Sequence, residues 1–374
     1  MPTTTTPTHP RWAANTLGLD YTREAQRLGP PPVPIIDVHT HIHGHAAAAL
    51  YDKARTLFGV RRTYTMTQIP MAQEVRAVLG DSVRFIAMPH FSADDKQDAH
   101  RAGYLRVIER FHSEFGARMA KLWCSPALRD FLPPGQGHGA TDLADVDSPW
   151  RREHARVATG LGMMLMVHVA DPDTWFATKY RDGGLYGTKS HHYVGLRRML
   201  DLFPVPWIAA HMGGWPEDLG FLDHLLEAHR NLHLDTSATK WIVRELSRHP
   251  RDEVVAFLWK HKGRILFGTD LVTLDDQLST AKSGISRMGD LSNSPAQAFD
   301  LYCSRHWALR TMFETDYDGP SPIADPDLMM VNPKAYNAES TPRLQGLSLP
   351  RDLLIELYSG AATRLVEAWW DQHA

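Results

Sequence analysis

Two cysteines, Cys124 and Cys303, are all that this chain of 374 residues carries. No zinc-finger or redox spacing can be drawn from them, and a disulfide framework is excluded. A reducing cytoplasm is the default compartment. Long apolar runs are missing as well: no stretch reaches the about eighteen residues that a membrane-spanning helix needs. The opening Met-Pro-Thr-Thr-Thr-Thr-Pro-Thr-His-Pro lacks the apolar core of a signal peptide. It reads as a flexible, proline-rich arm continuing to about Pro34. Charge of one sign is scarce, with 40 basic against 43 acidic side chains and a net charge of −3. Such a balance offers nothing to nucleic acid, a polyanion or a membrane surface. No fixed-period repeat occurs. Histidine, by contrast, is plentiful at 21 residues, a supply that suits metal or proton chemistry.

The arrangement of apolar residues is that of an α/β protein. Eight short apolar or β-branched runs read as strands: Pro34 to His41, Arg62 to Met66, Ser82 to Met88, Arg118 to Trp123, Met163 to Val169, Pro206 to Met212, Asn231 to Asp235 and Arg264 to Gly268. Between them lie segments with helical spacing, such as Asp98 to Phe115 with Leu105, Ile108, Phe111 and Phe115 on one side. Alternation of this kind means parallel strands joined by crossover helices. Eight units match a closed, distorted (β/α)8 TIM barrel, which typically takes about 250 residues. A doubly wound open sheet is the runner-up, but no Gly-rich dinucleotide turn follows the first strand. The expected organisation is an arm over residues 1–33 and a single domain over 34–374. In that domain the barrel occupies 34–270 and a C-terminal helical extension 271–374. The Met-rich run Met163, Met164 and Met166 reads as core filling.

Chemistry-bearing residues collect where the strands end. His39 and His41 close strand one, and residues i and i+2 of a strand share a face, roughly 6–7 Å apart. Strand four carries Lys121, strand five His168, strand six His211, strand seven Asp235 and strand eight Asp270. In a barrel these ends converge on one mouth, where the chemistry is done. Three imidazoles and a carboxylate make a zinc site with room for water. A lone histidine in such a place is more often structural; four with an aspartate are hard to assign to chance.

The segments Asp37-Val38-His39-Thr40-His41, Val167-His168-Val169, Ala210-His211-Met212-Gly213-Gly214 and Phe267-Gly268-Thr269-Asp270 together resemble the amidohydrolase superfamily. The nearer resemblance is to its amidohydrolase 2 branch, related to aminocarboxymuconate semialdehyde decarboxylase. The resemblance implies that His39, His41, His168 and Asp270 are metal ligands and that His211 is the catalytic histidine. It implies one divalent ion, most readily Zn2+. Ala120-Lys121-Leu122-Trp123 also resembles the motif in which a carboxylated lysine bridges two metals. On that variant His39, His41 and Asp270 hold one ion, and His168 and His211 the other. In mononuclear relatives such a lysine meets the substrate instead.

Several residues admit two readings. His43 and His45 continue the alternation towards solvent or stand behind the ligands. Asp37 shares the face of His39 and His41 and can pair within the barrel. Asp235 either orients a ligand or bonds its own loop. Arg61 and Arg62 could clamp a substrate carboxylate bidentately or lie on the surface. The long loop after strand five, with Lys179 to Tyr193 and its His191 and His192, is the candidate specificity lid. Pocket shape further depends on Tyr51 to Thr63, Trp123 to Asp147 and Asp275 to Ser294.

The expected activity is that of a metal-dependent hydrolase cleaving an amide, ester, lactone or related carbonyl substrate. In it Asp270 accepts the proton of the attacking water and His211 steadies the oxyanion. The alternative is a non-oxidative decarboxylase of an aromatic or unsaturated acid, with Arg61 or Arg62 as the carboxylate anchor. The expected partner is a small-molecule substrate, with neither nucleic acid nor membrane. Aromatic patches such as Trp369-Trp370 leave room for a homodimer.

Overall fold

In a computed structural model of the chain, residues 10–133, 139–284 and 286–373 are described. Eight parallel strands form the centre: β1 (Ile35–Ile42), β2 (Val60–Thr65), β3 (Val83–Phe85), β4 (Met119–Trp123), β5 (Met164–His168), β6 (Trp207–Ala209), β7 (Leu232–Asp235) and β8 (Ile265–Leu266). Pairing runs in chain order through β1–β2–β3 and through β4–β5–β6–β7–β8. Two seams close the ring. Ala87 bridges Ala120, with Ala87 N–H donating to Met119 O at 2.9 Å and Lys121 N–H to Ala87 O at 2.8 Å. On the other side Val38 N–H donates to Phe267 O at 3.0 Å, and Asp270 N–H to His39 O at 2.8 Å. The result is the (β/α)8 barrel that the alternation predicts. A ninth short strand, β9 (Leu271–Thr273), resumes pairing with β1 after a kink at Asp270, whose φ is 56°.

Two apolar layers follow from the pleat. Ile36, Val38, Tyr64, Met66, Ile86, Met88, Met119, Met164, Met166, Ile208 and Leu266 pack into one cluster filling the barrel. Alternate residues such as Ile35, Ala120, Leu122, Leu165, Val167 and Leu234 face the surrounding helices. Met164 and Met166 fill the barrel as expected, whereas Met163 belongs to the outer layer. Ala361, Ala362, Val366 and Trp370 of the C-terminal helical run join the inner cluster and stopper the end of the barrel where the strands begin. Cys124 and Cys303 are buried and free. Among the described residues no helix is long and apolar enough to cross a membrane.

Some expectations are corrected. The arm is not irregular up to Pro34: Tyr21–Leu28 is a helix, capped by the Asp20 carboxylate accepting from Thr22 and Arg23 N–H. Its Tyr21 and Ala25 are buried, and Trp307 of the helix Pro295–Glu314 donates to its Glu24. Three apolar or aromatic positions, Tyr21, Ala25 and Leu28, in an octet are a weak periodic signal, and tertiary burial overrides it. Residues 1–9 of the arm, and residues 134–138 of the Gly- and Pro-rich loop expected after β4, lie outside the described residues. The helical stretch expected over Lys240 to Lys260 is two helices, Thr239–Leu246 and Arg251–Lys260, with Pro250 at the start of the second. The irregular stretch after Asp316 contains an antiparallel pair, Asp318–Pro320 with Arg343–Gln345.

Buried histidines away from the barrel mouth set the acid limit of the fold. His100, His154 and His306 are fully buried, and both ring nitrogens of His100 and His306 lack partners. Burial, then nearby arginines, pushes each down to about 3. Between pH 6.5 and 3 the folded state therefore binds fewer protons than the unfolded chain, so stability rises with pH and is lost on acidification. By pH 5 the loss is roughly 2 kcal/mol per histidine. The urea midpoint is expected to fall between pH 7 and 5, with a shallower fall in His306→Phe, whose ring would sit between Tyr51 and Phe58. A midpoint that stays constant over this range in the native protein would contradict the assignment.

Candidate metal centre

The register of β1 decides which way its histidines point. Asp37 pairs with Thr63 and Thr40 with Thr65, so three steps on β1 match two on β2. Such a bulge shifts the phase of the pleat by one residue. Val38 still packs inside the barrel, and His39 and His41 follow it at the mouth. Asp37 turns away from them: its carboxylate accepts from Thr269 Oγ1 at 2.7 Å and from the N–H groups of Thr269 and His39.

Donor atoms of His39, His41 and Asp270 all lie within 4.8 Å of one another. Asp270 Oδ1 is 3.3 Å from His39 Nε2 and 3.3 Å from His41 Nε2. His39 Nε2 is buried and has no hydrogen-bond partner among the described residues. Two imidazole nitrogens and a carboxylate oxygen facing a common point are a donor set for a divalent cation. The side chains of His41 and Asp270 are 23% and 27% exposed, so the cluster opens to solvent, while His39 at 1% forms its floor. Burial works against charge on Asp270, but His39 and His41 outweigh it and hold the carboxyl well below its usual range.

A second triplet, His39, His211 and Asp235, is equally compact, but its atoms are engaged with one another. Asp235 is fully buried. Its Oδ2 accepts from His39 Nδ1 at 2.8 Å, and its Oδ1 from the N–H of His211 at 2.9 Å, the N–H of Ser237 at 3.0 Å and the Ser237 hydroxyl. Burial raises the Asp235 pKa, yet His39 more than reverses it, and the carboxyl is held far below its usual range. An ionised Asp235 makes His39 Nδ1 the protonated nitrogen and leaves the Nε2 lone pair for a cation. Both readings of Asp235 therefore hold at once: it orients His39 and also bonds its own loop.

The same network sets His211. The Ser237 hydroxyl donates to Asp235, so its oxygen accepts from His211 Nδ1–H at 2.8 Å. Burial, then His168, pushes the His211 pKa well below 6.5. A neutral ring with its proton on Nδ1 carries a lone pair on Nε2. A ring in that state donates to an oxyanion only after taking up a proton at Nε2.

His168 ends β5 beside Trp123 of β4 and packs edge-on against His211, with ring centroids 4.5 Å apart. It belongs to neither triplet. Its Nε2 is taken by Asp171 at 2.9 Å, and Asp171 also accepts from Ser125 and from Tyr180 at 2.9 Å. Lys121, two residues before Trp123, is 5% exposed, and its Nζ has no hydrogen-bond partner among the described residues. Burial lowers it to about 8, with Asp235 and Asp270 pulling the other way. His43 is buried, not solvated, and its Nδ1 accepts from Gln68 N–H at 3.3 Å.

Arg61 and Arg62 are not at the mouth. They lie at the start of β2, the opposite end of the barrel, and both face Glu367, at 2.9 and 3.1 Å. Strand residues before the apolar run lie at the base, and the sequence position of the pair already carried that signal. His191 stands exposed in the first turn of the helix Lys189–Leu202, beside His192 with ring centroids 6.2 Å apart.

No protein-family model matches the sequence, and no curated protein matches it. Solved structures are similar at low identity. An uncharacterised TIM-barrel protein from Bordetella bronchiseptica is 14% identical, with 94% of this chain and 90% of that one covered and a TM-score of 0.45. A 2,6-dihydroxybenzoate decarboxylase complexed with 2,6-dihydroxybenzoate is 12% identical, with coverage of 90% and 99% and a TM-score of 0.47. A dihydropyrimidinase from Brevibacillus agri is 11% identical, with coverage of 84% and 81% and a TM-score of 0.39. At such values the argument rests on the strand pairing and on the atoms of the site.

Backbone strain marks the same mouth. Among the described residues, four of the five non-glycine residues with positive φ are His211, Met212, Ala238 and Asp270, and strain of this kind persists where the surroundings impose it. Gly214, at φ 78°, has no alternative: a Cβ there would lie 2.5 Å from the Ala170 carbonyl oxygen. Gly268 lets β8 pass His39, whose Cβ would be 3.0 Å from an added one.

An aromatic wall borders the cluster. Trp241 lies edge-on to His211 at 5.6 Å, and Trp175 edge-on to Trp241 at 5.2 Å. Both indole N–H groups donate to one oxygen of Asp327, at 2.7 and 3.1 Å. Trp175 lies in the same loop after β5, ahead of the Lys179 to Tyr193 segment expected as a lid; the loop folds into two one-turn helices, Asp173–Phe176 and Gly183–Tyr186. Ser237, Asp171, Trp241 and Asp327 are additions that sequence reasoning missed. Of these only Ser237, two residues after the strand-end Asp235, and Asp171, three after His168, left a local signal.

Proposed function

We propose that this chain is a metal-dependent hydrolase of the amidohydrolase superfamily, acting on a carbonyl substrate such as an amide, ester or lactone. The observation that carries the reading is the convergence of His39 Nε2, His41 and Asp270 within 4.8 Å, with Nε2 buried and unpartnered. When bound there, a divalent cation, most readily Zn2+, supplies Lewis acidity that activates water and polarises a carbonyl. His39 is turned to that point by Asp235. Asp270, ionised and partly exposed, accepts the proton of the attacking water at its carboxylate. His211 takes that proton from Asp270 at Nε2 and passes it to the leaving group, while Ser237 holds its Nδ1 proton in place. His168, outside that cluster, would add a ligand only through Nδ1, since Asp171 occupies Nε2. The tryptophan wall excludes water from one side and sets pocket width.

A second reading rests on Lys121. With Arg61 and Arg62 at the far end, its Nζ, without a hydrogen-bond partner among the described residues, is a cation that could hold a substrate carboxylate, as a decarboxylase requires. If carboxylated, the same amine would bridge two ions. We place the protein in the cytoplasm and its substrate among small molecules. Metal analysis of the purified protein decides the role of Lys121: one equivalent leaves it facing substrate, two make it a bridge. Turnover of candidate substrates in H2(18)O separates the reactions. Label from water is expected in the product, and release of CO2 with unlabelled product would overturn the hydrolase reading.

A further inference from the structure

The arginines that the active site does not use build a cavity of their own. Arg61 and Arg62 of β2 and Arg84 of β3 line a space of about 380 Å³ at the base of the barrel. Thr363, Glu367 and Trp370 of the C-terminal helical run complete it. The charges do not balance. One carboxylate, Glu367, is divided between Arg61 at 2.9 Å and Arg62 at 3.1 Å. Arg84 donates only to the Val83 carbonyl oxygen, at 3.4 Å, and has no acidic partner among the described residues. With Asp371 also on the lining, three guanidiniums meet two carboxylates, and the surplus charge rests on Arg84. Trp370 is 6% exposed, and its indole N–H is buried without a partner.

We infer that this cavity binds a small phosphate-bearing anion, at a site separate from the metal centre. Guanidinium forks match the oxygens of a phosphate, and the Thr363 hydroxyl, now 3.2 Å from Glu367, supplies a further donor. A volume of this size matches a phosphorylated small molecule. The occupant competes with Glu367 for Arg61 and Arg62. It lies against Trp370, whose ring stands edge-on to Tyr64 at 5.0 Å inside the barrel, so its binding is read out in the core.

Calorimetry of the full chain with inorganic phosphate, at matched ionic strength in chloride, tests the site. Saturable one-to-one binding is expected. Arg84→Ala should weaken it about tenfold or more, the usual effect of losing a charge-assisted hydrogen bond. Glu367→Gln should strengthen it several-fold by releasing two guanidiniums, a gain that a misfolded variant would not show. His41→Ala, at the other end of the barrel, should leave it unchanged. Absence of binding, indifference to both Arg84→Ala and Glu367→Gln, or loss of binding in His41→Ala would overturn the proposal.

Discussion

Replacing Asp270 by asparagine is expected to abolish retention of a divalent cation while the barrel stays folded. Asp270 Oδ1 is the atom that faces both His39 Nε2 and His41 Nε2 at 3.3 Å. Its charge is the only negative one in that donor set, so an amide leaves two neutral nitrogens and a weak oxygen for a hard dication. Changes in residues behind the ligands typically cost about 10- to 100-fold in metal affinity, and loss of a ligand itself should exceed that. Asparagine is the informative choice because φ at this position is 56°, a region it tolerates and alanine does not. Metal content after dialysis and the thermal midpoint of the same sample form the measurement. A variant that keeps a full equivalent of zinc would show that the cation sits elsewhere. His168→Ala is the companion test, since retention there would remove His168 from the ligand set.

Asp235→Asn should weaken the metal by roughly 10- to 100-fold through His39 alone. The buried carboxylate accepts from four donors: His39 Nδ1, two backbone N–H groups and the Ser237 hydroxyl. An amide has one oxygen and one NH2. If the oxygen stays with His211 and Ser237, the NH2 faces His39 Nδ1 and requires it to be an acceptor. The proton then moves to Nε2, the nitrogen meant for the cation. If the amide turns round, the NH2 meets three donors, and the cost shows as about 1–3 kcal/mol per unpaired group in stability. Metal titration and denaturation on one preparation distinguish the two. Full affinity with full stability would mean that His39 does not bind through Nε2.

Much of this was legible in the order of residues. Apolar, β-branched or aromatic runs of five or so alternating with helical spacing identified every barrel strand, because a parallel strand covered on both faces is rich in such residues. Placing His39, His41, His211 and Asp270 at strand ends followed from the same runs. The bulge between Asp37 and Thr40 was not legible, since register is settled by the neighbouring strand. The helix Tyr21–Leu28 was missed because its burial comes from the far end of the chain.

By itself, then, the sequence determined a ring of eight strands, and that two histidines of the first strand and an aspartate after the last share one rim. Periodicity suffices for that, because each strand carries its own record of which face is covered. Only the tertiary structure decided which nitrogen of each ring is free. It tied His39 to Asp235, 196 residues away, turned His168 to Asp171, and put Arg61 and Arg62 at the base with Glu367. A proton's position depends on the hydrogen-bond partner that packing brings up, and no local pattern encodes a partner so distant.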